Sequence, residues 1–424
     1  MKDPKILVVG INPWIDNTGI NTLINFFDGW EKDSLAHIYT RAGLPNTKIC
    51  DRFFRISEPK VLKSIFKRGI KTGEIVSNGE NEGQSAESNI YKKKRRALTA
   101  LCRELVWLVG KWKTKELDSF LCEYDADVLF FPVYSNVYMC RLQNYIAKKT
   151  KKPVVLYSSD DNYSYKSVSK HPFSLLHRFW LRRQEKKLFL RADRVMVITP
   201  KQKEEYDRIF GVDSVVLTKG VDFSSCPFVE KTISHPAKIV YTGKLIIGRW
   251  KTLAAIAEAF GEVNKYENKF ELDIYTTDEP TEEQKAALNK NGSKIKGALT
   301  LSEVQKVQNE ADILVFVESL EKKYKNAARL SFSTKITDYL KSGKCIFAIG
   351  SEDIAPIDYF KRYDSAITAT SYAEIGEQLK RLADNTSLVT EYAKKAYQCG
   401  REHHDKNETD RILRNVITTV VKEI

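Results

Sequence analysis

The chain has 424 residues, enough for two or three domains, and its 42% hydrophobic and 11% aromatic residues can supply a core for each. This composition excludes a wholly disordered chain, and only 12 prolines and 20 glycines exclude a collagen-like one. The formal charge is +14 at pH 7, and +13 of it falls within residues 1–223, which indicates an acidic partner for the first half.

Short apolar runs rich in β-branched residues alternate with helical patterns along the whole chain. Continuous runs of this kind are typical of strands that are buried on both faces of a parallel sheet. The sequence therefore predicts an α/β fold with two Rossmann-like domains. The predicted strands are residues 5–9, 128–131, 154–157, 194–199, 238–242, 270–275, 313–317 and 345–349.

The alternation breaks near residues 220–236, where a Gly-Val-Asp turn and an irregular Ser-Ser-Cys-Pro stretch precede a new strand. The predicted domains are therefore 1–223 and 224–405, and the final helix, 406–424, is a candidate to pack back on the first domain. Residues 72–89 are polar, contain Gly and Ser and lack aromatic residues, so they are predicted to form a mobile loop.

Seven scattered cysteines show no metal or redox spacing, and their odd number favours reduced thiols in a cytoplasmic compartment. The amino terminus is typical of a strand rather than a secretion signal, and no run of about 18 apolar residues predicts a membrane span. Asp125-Ala-Asp127 precedes a strand, and the adjacent His403 and His404 lie in a charged stretch where they are expected to be solvated. No metal site is predicted.

A glycine-containing loop follows the strand at 238–242 and opens a helix, with the sequence Gly243-Lys244-Leu-Ile-Ile-Gly248-Arg249. Glycine lets a ligand approach the backbone closely, and a helix N-terminus attracts phosphate. Lys244 and Arg249 are therefore expected to clamp a diphosphate. An ordinary loop with solvated basic residues is the alternative interpretation.

A second candidate for anion binding is the hydroxyl-rich helix start Ser333-Thr334-Lys335. Ser333 is a preferred N-cap residue, and Lys335 adds a positive charge to the helix N-terminus. Asp338 lies about one turn further along and is placed to accept hydrogen bonds from a ribose. A capped helix with a surface lysine is the alternative.

Together these segments resemble the GT-B glycosyltransferases, most closely the glycosyltransferase family 4-like group of bacterial surface-polysaccharide enzymes. The loop from Gly243 to Arg249 is similar to the family's Gly-Arg-Leu…Lys loop, and the segment 338–343 is similar to its Glu-Ala-Met-Ala-x-Gly segment. The turn 218–222 resembles the family's Asn-Gly-Val-Asp turn. The resemblance implies two Rossmann-like domains facing each other across a cleft, with the donor bound by the second and the acceptor by the first.

The resemblance also implies roles for single residues. The donor is expected to be a UDP-sugar or a GDP-sugar, with its ribose on Asp338 and with no cofactor or required metal. Leu330 stands where the family has a glutamate, so Glu318 and Glu321 are the candidates for the donor sugar. Sugar transfer with retention at the anomeric carbon is expected. The expected diphosphate-binding residues are Gly243, Lys244, Arg249, Ser333, Thr334 and Lys335, and Arg249 is also a candidate catalytic residue.

Two loops of the first domain are candidates for the acceptor. The loop after the first strand offers polar groups and a stacking aromatic ring. Asp160 follows the strand at 154–157 and is the candidate for orienting or deprotonating the acceptor hydroxyl, since ligands gather at the carboxyl ends of parallel strands. Helix capping or loop solvation is the alternative for these aspartates. The candidate acceptor residues of the first loop are Asn12, Trp14, Asp16 and Gly19.

Basic residues of the first domain are interleaved with Phe, Trp and Leu in residues 59–71, 92–96 and 166–191. This pattern predicts peripheral docking on the anionic inner face of the cell membrane, with a lipid-linked glycan as acceptor. A solvated face is the alternative for such charge runs. A nucleotide-sugar epimerase of the same fold is a second enzyme class, and a nucleic-acid-binding protein ranks below both because no recognition motif accompanies the charge.

Overall fold

A computed structural model describes residues 3–16, 22–79, 97–326 and 328–423, and it divides into two compact units. Unit 1 contains the chain up to residue 217 and from residue 410 onward, and unit 2 contains residues 218–409. The boundary therefore lies at 217/218 rather than at the expected 223/224. The last helix, Lys406–Lys422, contributes most of its length to unit 1.

Unit 1 is built on an eight-stranded sheet whose neighbours are all parallel except one antiparallel pair at an edge. Its strands are β1 (Ile6–Val9), β2 (Leu35–Tyr39), β3 (Arg52–Ile56), β4 (Gly73–Val76), β5 (Val128–Pro132), β6 (Val154–Ser158), β7 (Arg194–Val197) and β8 (Val215–Val216). Their order is β4-β3-β2-β1-β5-β6-β7-β8. Its helices are α1 (Thr22–Phe27), α2 (Glu58–Phe66), α3 (Ala97–Val109), α4 (Lys115–Tyr124), α5 (Val137–Thr150), α6 (Pro172–Phe189) and α7 (Pro200–Phe210).

Unit 2 contains a six-stranded parallel sheet. Its strands are β9 (Ala237–Thr242), β10 (Phe270–Tyr275), β11 (Ser293–Gly297), β12 (Ile313–Val317), β13 (Cys345–Ile349) and β14 (Ile367–Ala369), in the order β11-β10-β9-β12-β13-β14. Its helices are α8 (Arg249–Val263), α9 (Glu282–Leu288), α10 (Leu301–Glu310), α11 (Thr334–Lys341), α12 (Ala355–Arg362), α13 (Tyr372–Asp384) and α14 (Ser387–His404), and α15 is the last helix (Lys406–Lys422).

Several helices begin at hydroxyl residues that satisfy otherwise unpaired backbone donors. The Thr199 side chain accepts from the Gln202 amide, and Pro200 follows it as the first helical residue of α7. Gly211 ends the same helix in the left-handed conformation, with φ at 67°. Thr281 and Thr300 start α9 and α10 with complete capping boxes. These capping residues fix where the helices between successive parallel strands begin and end.

Three aspartates at helix-to-strand turns hold the starts of neighbouring strands. The carboxylate of Asp127 accepts from the Lys5 amide at 2.7 Å just before β1, and Asp193 accepts from the first amide of β6 at 2.8 Å. Asp312 accepts from the Lys238 amide of β9 at 2.8 Å. The repeated aspartate therefore fixes strand register in both sheets.

All eight predicted strands are present, with ends that differ by at most two residues. The prediction missed the other six strands. The expectation of a mobile loop over 72–89 is wrong at its start, because β4 pairs antiparallel with β3. Thr72, just before β4, is fully buried and donates its hydroxyl proton to the Lys111 carbonyl. Residues 80–89 lie outside the described residues.

Each unit buries one histidine, but the two have opposite surroundings. His37 in β2 stacks on Trp14 with ring centroids 4.6 Å apart, and neither ring nitrogen has a hydrogen-bond partner among the described residues. His404 bonds through Nδ1 to the Thr218 hydroxyl at 2.7 Å and through Nε2 to the Tyr359 hydroxyl at 2.8 Å. The expectation that His404 is solvated is therefore wrong. Burial lowers the pKa of both rings to about 3.

Replacing each histidine with phenylalanine should have opposite effects on the free energy of unfolding. His37→Phe removes two unpaired buried polar atoms and should raise the free energy of unfolding by about 1 kcal/mol at pH 7. His404→Phe removes the ring partner of the buried Thr218 hydroxyl and one of the two partners of the Tyr359 hydroxyl, and it should lower the free energy of unfolding by about 2 kcal/mol. Urea unfolding of the two variants measures both values, and destabilisation of equal size in both would contradict this account.

The free energy of unfolding should fall in acid because of His37. As pH falls from 6.5 towards 3, the unfolded chain takes up a proton at His37 that the folded chain does not. The wild type therefore loses up to about 1.4 kcal/mol per pH unit relative to His37→Phe. The same unfolding experiment repeated at pH 5 tests this widening gap.

Candidate functional site

The backbone of the loop between β9 and α8 is held in shape by the side chains of Asp278 and Tyr241. The Leu245 amide donates to the Asp278 carboxylate at 2.6 Å, and the Tyr241 hydroxyl donates to the Lys244 carbonyl at 2.7 Å. Gly248 has φ at 74°, and a Cβ there would lie 2.5 Å from the Ser319 hydroxyl. Only glycine fits this position. Lys244 is exposed, at the tip of a fixed loop.

Arg249, the first residue of α8, forms a two-pronged ion pair with Glu318, which follows β12. Its Nε lies 3.1 Å from Oε2 and its Nη2 lies 2.6 Å from Oε1. The two side chains are only 25% and 10% exposed. Two residues predicted for different parts of the donor, its diphosphate and its sugar, therefore contact each other. This pairing fixes the plane and position of the guanidinium.

Lys335 reaches from the first turn of α11 to the end of β9. Its Nζ donates to the Thr242 carbonyl at 2.6 Å, and a Cβ on Gly243 would lie 2.7 Å from that nitrogen. The residue is exposed overall, while its ammonium nitrogen lies against the backbone at the end of β9. Burial, reinforced by the positive charges of Arg249 and Lys244, lowers the pKa of Lys335 to about 8, against the opposing charge of Glu318.

The start of α11 has the geometry expected of a capped helix. The Ser333 hydroxyl accepts from the Lys335 amide at 3.4 Å as the N-cap, and Thr334 is the first helical residue. The capping interpretation of Ser333 is therefore confirmed, while its contact with a diphosphate stays a prediction. The helix start and Gly243 both lie beside the Lys335 side chain.

Asp338, the predicted ribose ligand, is half-exposed and forms an ion pair with Lys219 at 2.8 Å. Lys219 belongs to the turn 218–222, so the structure brings two of the three resemblance-bearing segments together. The sequence did not single out Lys219 as a partner, although it lies inside a quoted motif. Glu321 pairs with the exposed Lys251 of α8 at 2.7 Å.

The first loop of unit 1 differs from the expected acceptor site. Trp14 is fully buried and stacks on His37, so it is a core residue and the prediction that it stacks on an acceptor is wrong. Asn12 is exposed and accepts from Arg41 at 2.9 Å. The Asp16 carboxylate accepts from the Thr47 hydroxyl at 2.6 Å and so helps to hold its own loop. Gly19 lies outside the described residues.

Asp160 lies just beyond the carboxyl end of β6, as predicted, and its side chain is exposed. Its backbone carbonyl accepts from the Gln202 amide group and the Tyr206 hydroxyl, each at 3.2 Å. Arg178 of α6, a residue that the sequence did not suggest, donates to the neighbouring Asp161 carbonyl at 3.1 Å. These contacts fix the backbone that carries the Asp160 carboxylate.

Across residues 3–16, 22–79, 97–326 and 328–423, no group of three His, Cys, Asp or Glu side chains is arranged to hold a metal ion. Within the same ranges no helix combines the length and apolar content needed to cross a bilayer.

The solved structures that resemble this chain have the GT-B fold. HepE from Anabaena, crystallised with UDP, matches with a TM-score of 0.61 at 10% identity over 98% of this chain and 100% of that one. A glycosyltransferase from Rickettsia africae matches with a TM-score of 0.61 at 12% identity, over 99% of this chain and 100% of that one. Sucrose-phosphate synthase from Thermosynechococcus elongatus matches at 0.62 with 9% identity, again over 99% and 100%.

These likenesses establish the fold, which is the GT-B arrangement of two Rossmann-like units predicted from the sequence. No protein-family model matches the sequence, and no curated protein matches it. The fold class thus rests on the structure, and the chemistry rests on the residues of the site.

The shared charges around Gly243 predict an unusual titration. Lys335 should titrate near pH 8, and in Arg249→Gln its pKa should move towards 10.5, because a repelling charge is lost and Glu318 loses its partner. NMR of ¹³C-labelled lysine side chains measures the midpoint. Lys251→Gln is the matched control, since it breaks the neighbouring ion pair and should leave the Lys335 midpoint unchanged. A midpoint near pH 10 for Lys335 in the wild type would contradict this account of its surroundings.

Proposed function

We propose that this protein is a glycosyltransferase that moves a sugar from a UDP-sugar or a GDP-sugar to an acceptor hydroxyl. The convergence of three cations, Lys244, Arg249 and Lys335, beside Gly243 at the carboxyl end of β9 carries this proposal. Gathering like charges is costly unless anions offset their repulsion; Glu318 pairs with Arg249, and a bound diphosphate would offset the charges that remain. The UDP and UDP-glucose in crystal structures of HepE, which shares the fold, support the same donor class here.

The donor diphosphate would lie against Gly243, whose missing side chain leaves room for the Lys335 ammonium. The N-terminus of α11, with Ser333 and Thr334, would add backbone donors, and Lys244 would close over the phosphates from the exposed loop. The donor ribose would hydrogen-bond to Asp338, now held by Lys219. Glu318 and Glu321 remain the candidates for contacts with the donor sugar.

In the reaction the bond between the anomeric carbon and the diphosphate oxygen breaks, and the electron pair leaves with the diphosphate. Negative charge then grows on that oxygen, and the fixed charges of Arg249 and Lys335 stabilise it without reorganising. The acceptor hydroxyl forms the new bond, and Asp160 is the group proposed to accept its proton. We propose retention at the anomeric carbon and no required metal, as the family resemblance implies.

Substitution of Arg249 tests the donor assignment. A thermal-shift screen of nucleotide-diphosphate sugars first identifies the donor, which should raise the melting temperature. With that donor, Arg249→Ala and Arg249→Lys should both lower turnover by roughly a hundredfold or more, because the guanidinium that Glu318 holds in a fixed position is lost. Arg249→Lys keeps a charge opposite Glu318 and thus separates loss of activity from loss of folding.

Lys251→Ala is the matched control, because Lys251 forms an exposed ion pair on the same helix. Its turnover should change by less than about twofold. Near-normal turnover in Arg249→Ala would overturn the donor assignment. Isomerised sugar formed from the donor alone, without acceptor, would indicate an epimerase instead.

We further propose that the acceptor is a lipid-linked glycan of surface-polysaccharide synthesis, and that the protein works at the cytoplasmic face of the cell membrane. Apolar side chains exposed on three helices of unit 1 support this location. Phe66 of α2 is 80% exposed, Val109 of α3 is 63% exposed and Leu176 of α6 is 55% exposed. Where such side chains form a contiguous patch, they mark a surface that contacts a membrane or another protein.

The acceptor class is tested with a radiolabelled donor and a membrane extract. Labelled sugar should appear in the organic phase with wild-type protein, and Asp160→Asn should reduce that signal at least about tenfold because general-base assistance is lost. Donor binding by Asp160→Asn should be unchanged. Label that stays entirely in water-soluble product would overturn the lipid-linked acceptor while leaving the donor assignment intact.

A further inference from the structure

Unit 1 carries a groove of about 550 Å³ lined by five basic side chains, which we call the cationic groove. It lies between the segment that follows α3 and helices α5 and α6. No carboxylate lines it; Trp112, Tyr145 and two amide side chains make up much of the remainder. The five basic residues are Lys113, Arg141, Lys148, Lys187 and Arg191.

Most basic side chains of the cationic groove form no ion pair with the described part of the chain. Among the described residues, Lys148, Lys187 and Arg191 have no carboxylate partner, and Lys113 lies over the rings of Trp112 and Tyr145 at 5.3 and 5.2 Å. The nearby Asp118 is already bound by Lys149 and by the Tyr145 hydroxyl. The groove therefore presents a net positive surface to an anion.

A second groove, of about 500 Å³, adjoins the first and is lined mainly by leucine, phenylalanine and tryptophan. We call it the apolar groove; it runs between α3 and α6 and shares Gln184 and Lys187 with the cationic groove. Its walls are exposed, with Leu105 at 53%, Leu176 at 55% and Phe179 at 51%.

A buried carboxylate fixes the helices that form both grooves. Glu104 of α3 is 1% exposed and accepts from the Val137 and Tyr138 amides at the start of α5, at 2.9 and 2.7 Å. His177 of α6 lies 3.2 Å from the same carboxylate. The spacing between the two grooves is therefore set by packed helices and does not depend on a loop.

We propose that the paired grooves bind an anionic phospholipid of a membrane leaflet, with its phosphate in the cationic groove and its hydrocarbon against the apolar groove. The adjacency of five cations and a bare apolar wall carries the proposal. A nucleic acid would use the cations but leave the leucines in water, whereas an anionic leaflet covers both. The inference deepens the proposed membrane location and does not depend on the transfer reaction.

Sedimentation with vesicles tests the proposal on the full chain without donor or acceptor. The wild type should bind phosphatidylcholine vesicles that contain phosphatidylglycerol, and should not bind pure phosphatidylcholine. Lys148→Gln with Arg191→Gln should lower the partition coefficient roughly thirtyfold, the loss of two basic contacts with an anionic surface. Leu176→Ser with Phe179→Ser should also lower binding, with the salt dependence kept.

The matched control replaces two exposed lysines of unit 2, Lys294→Gln with Lys306→Gln, and should bind like the wild type. Equal loss in that control would overturn the proposal, because net charge alone would then explain binding. Competition by soluble glycerol phosphate as effective as that by vesicles would make the groove a free-phosphate site. Unchanged binding by the serine variant, or binding to duplex DNA but not to vesicles, would also overturn it. Since no sugar is transferred in this assay, its failure leaves the donor assignment standing.

Discussion

Both sheets depend on the hydrogen bonds that Asp127, Asp193 and Asp312 accept from amides at the starts of neighbouring strands. Each carboxylate lies in the turn between a helix and the next strand, and it aligns that strand against its neighbour. In a parallel sheet, alignment at the amino ends also aligns the carboxyl ends, where functional loops begin. The loop at Gly243 follows β9, which is aligned in this way. An aspartate in a helix-to-strand turn thus determines where the loop at the far end of the neighbouring strand lies.

The region around Gly243 departs from what stability alone would favour. Arg249 and Lys335 repel each other, and the Lys335 ammonium lies against Gly243 with a lowered pKa. Gly248 adds a left-handed backbone that a side chain would block. Proteins accept such local conflicts where a ligand removes them, and the packed parallel sheet beneath supplies the stability that offsets them.

The sequence predicted what local pattern and burial determine. Strands such as β12 and β13 are buried on both faces and are continuously apolar, whereas the edge strand β11 reads Ser-Lys-Ile-Lys-Gly and has no such pattern. The same limit applies to the site. The cationic loop and the capped helix are local features, but Arg249 and Glu318 are 69 residues apart and Lys219 and Asp338 are 119 apart. Spacing in sequence contains no signal for such pairs, and Trp14 shows that an aromatic residue in a loop can belong to the core.

The ion pair of Arg249 with Glu318 has a consequence for selectivity. An empty anion site with bare charges would fill with any abundant anion, inorganic phosphate included. Here the guanidinium is already paired with Glu318. Another anion therefore binds to Arg249 only if its interaction with the protein is more favourable than the ion pair that it replaces. A small anion such as inorganic phosphate can contact few of the cations, whereas a ligand with two linked phosphates can contact several of them at once and make further contacts elsewhere. In the proposed donor site, Glu318 would therefore compete with an anion for Arg249 and raise the affinity that the anion needs for binding.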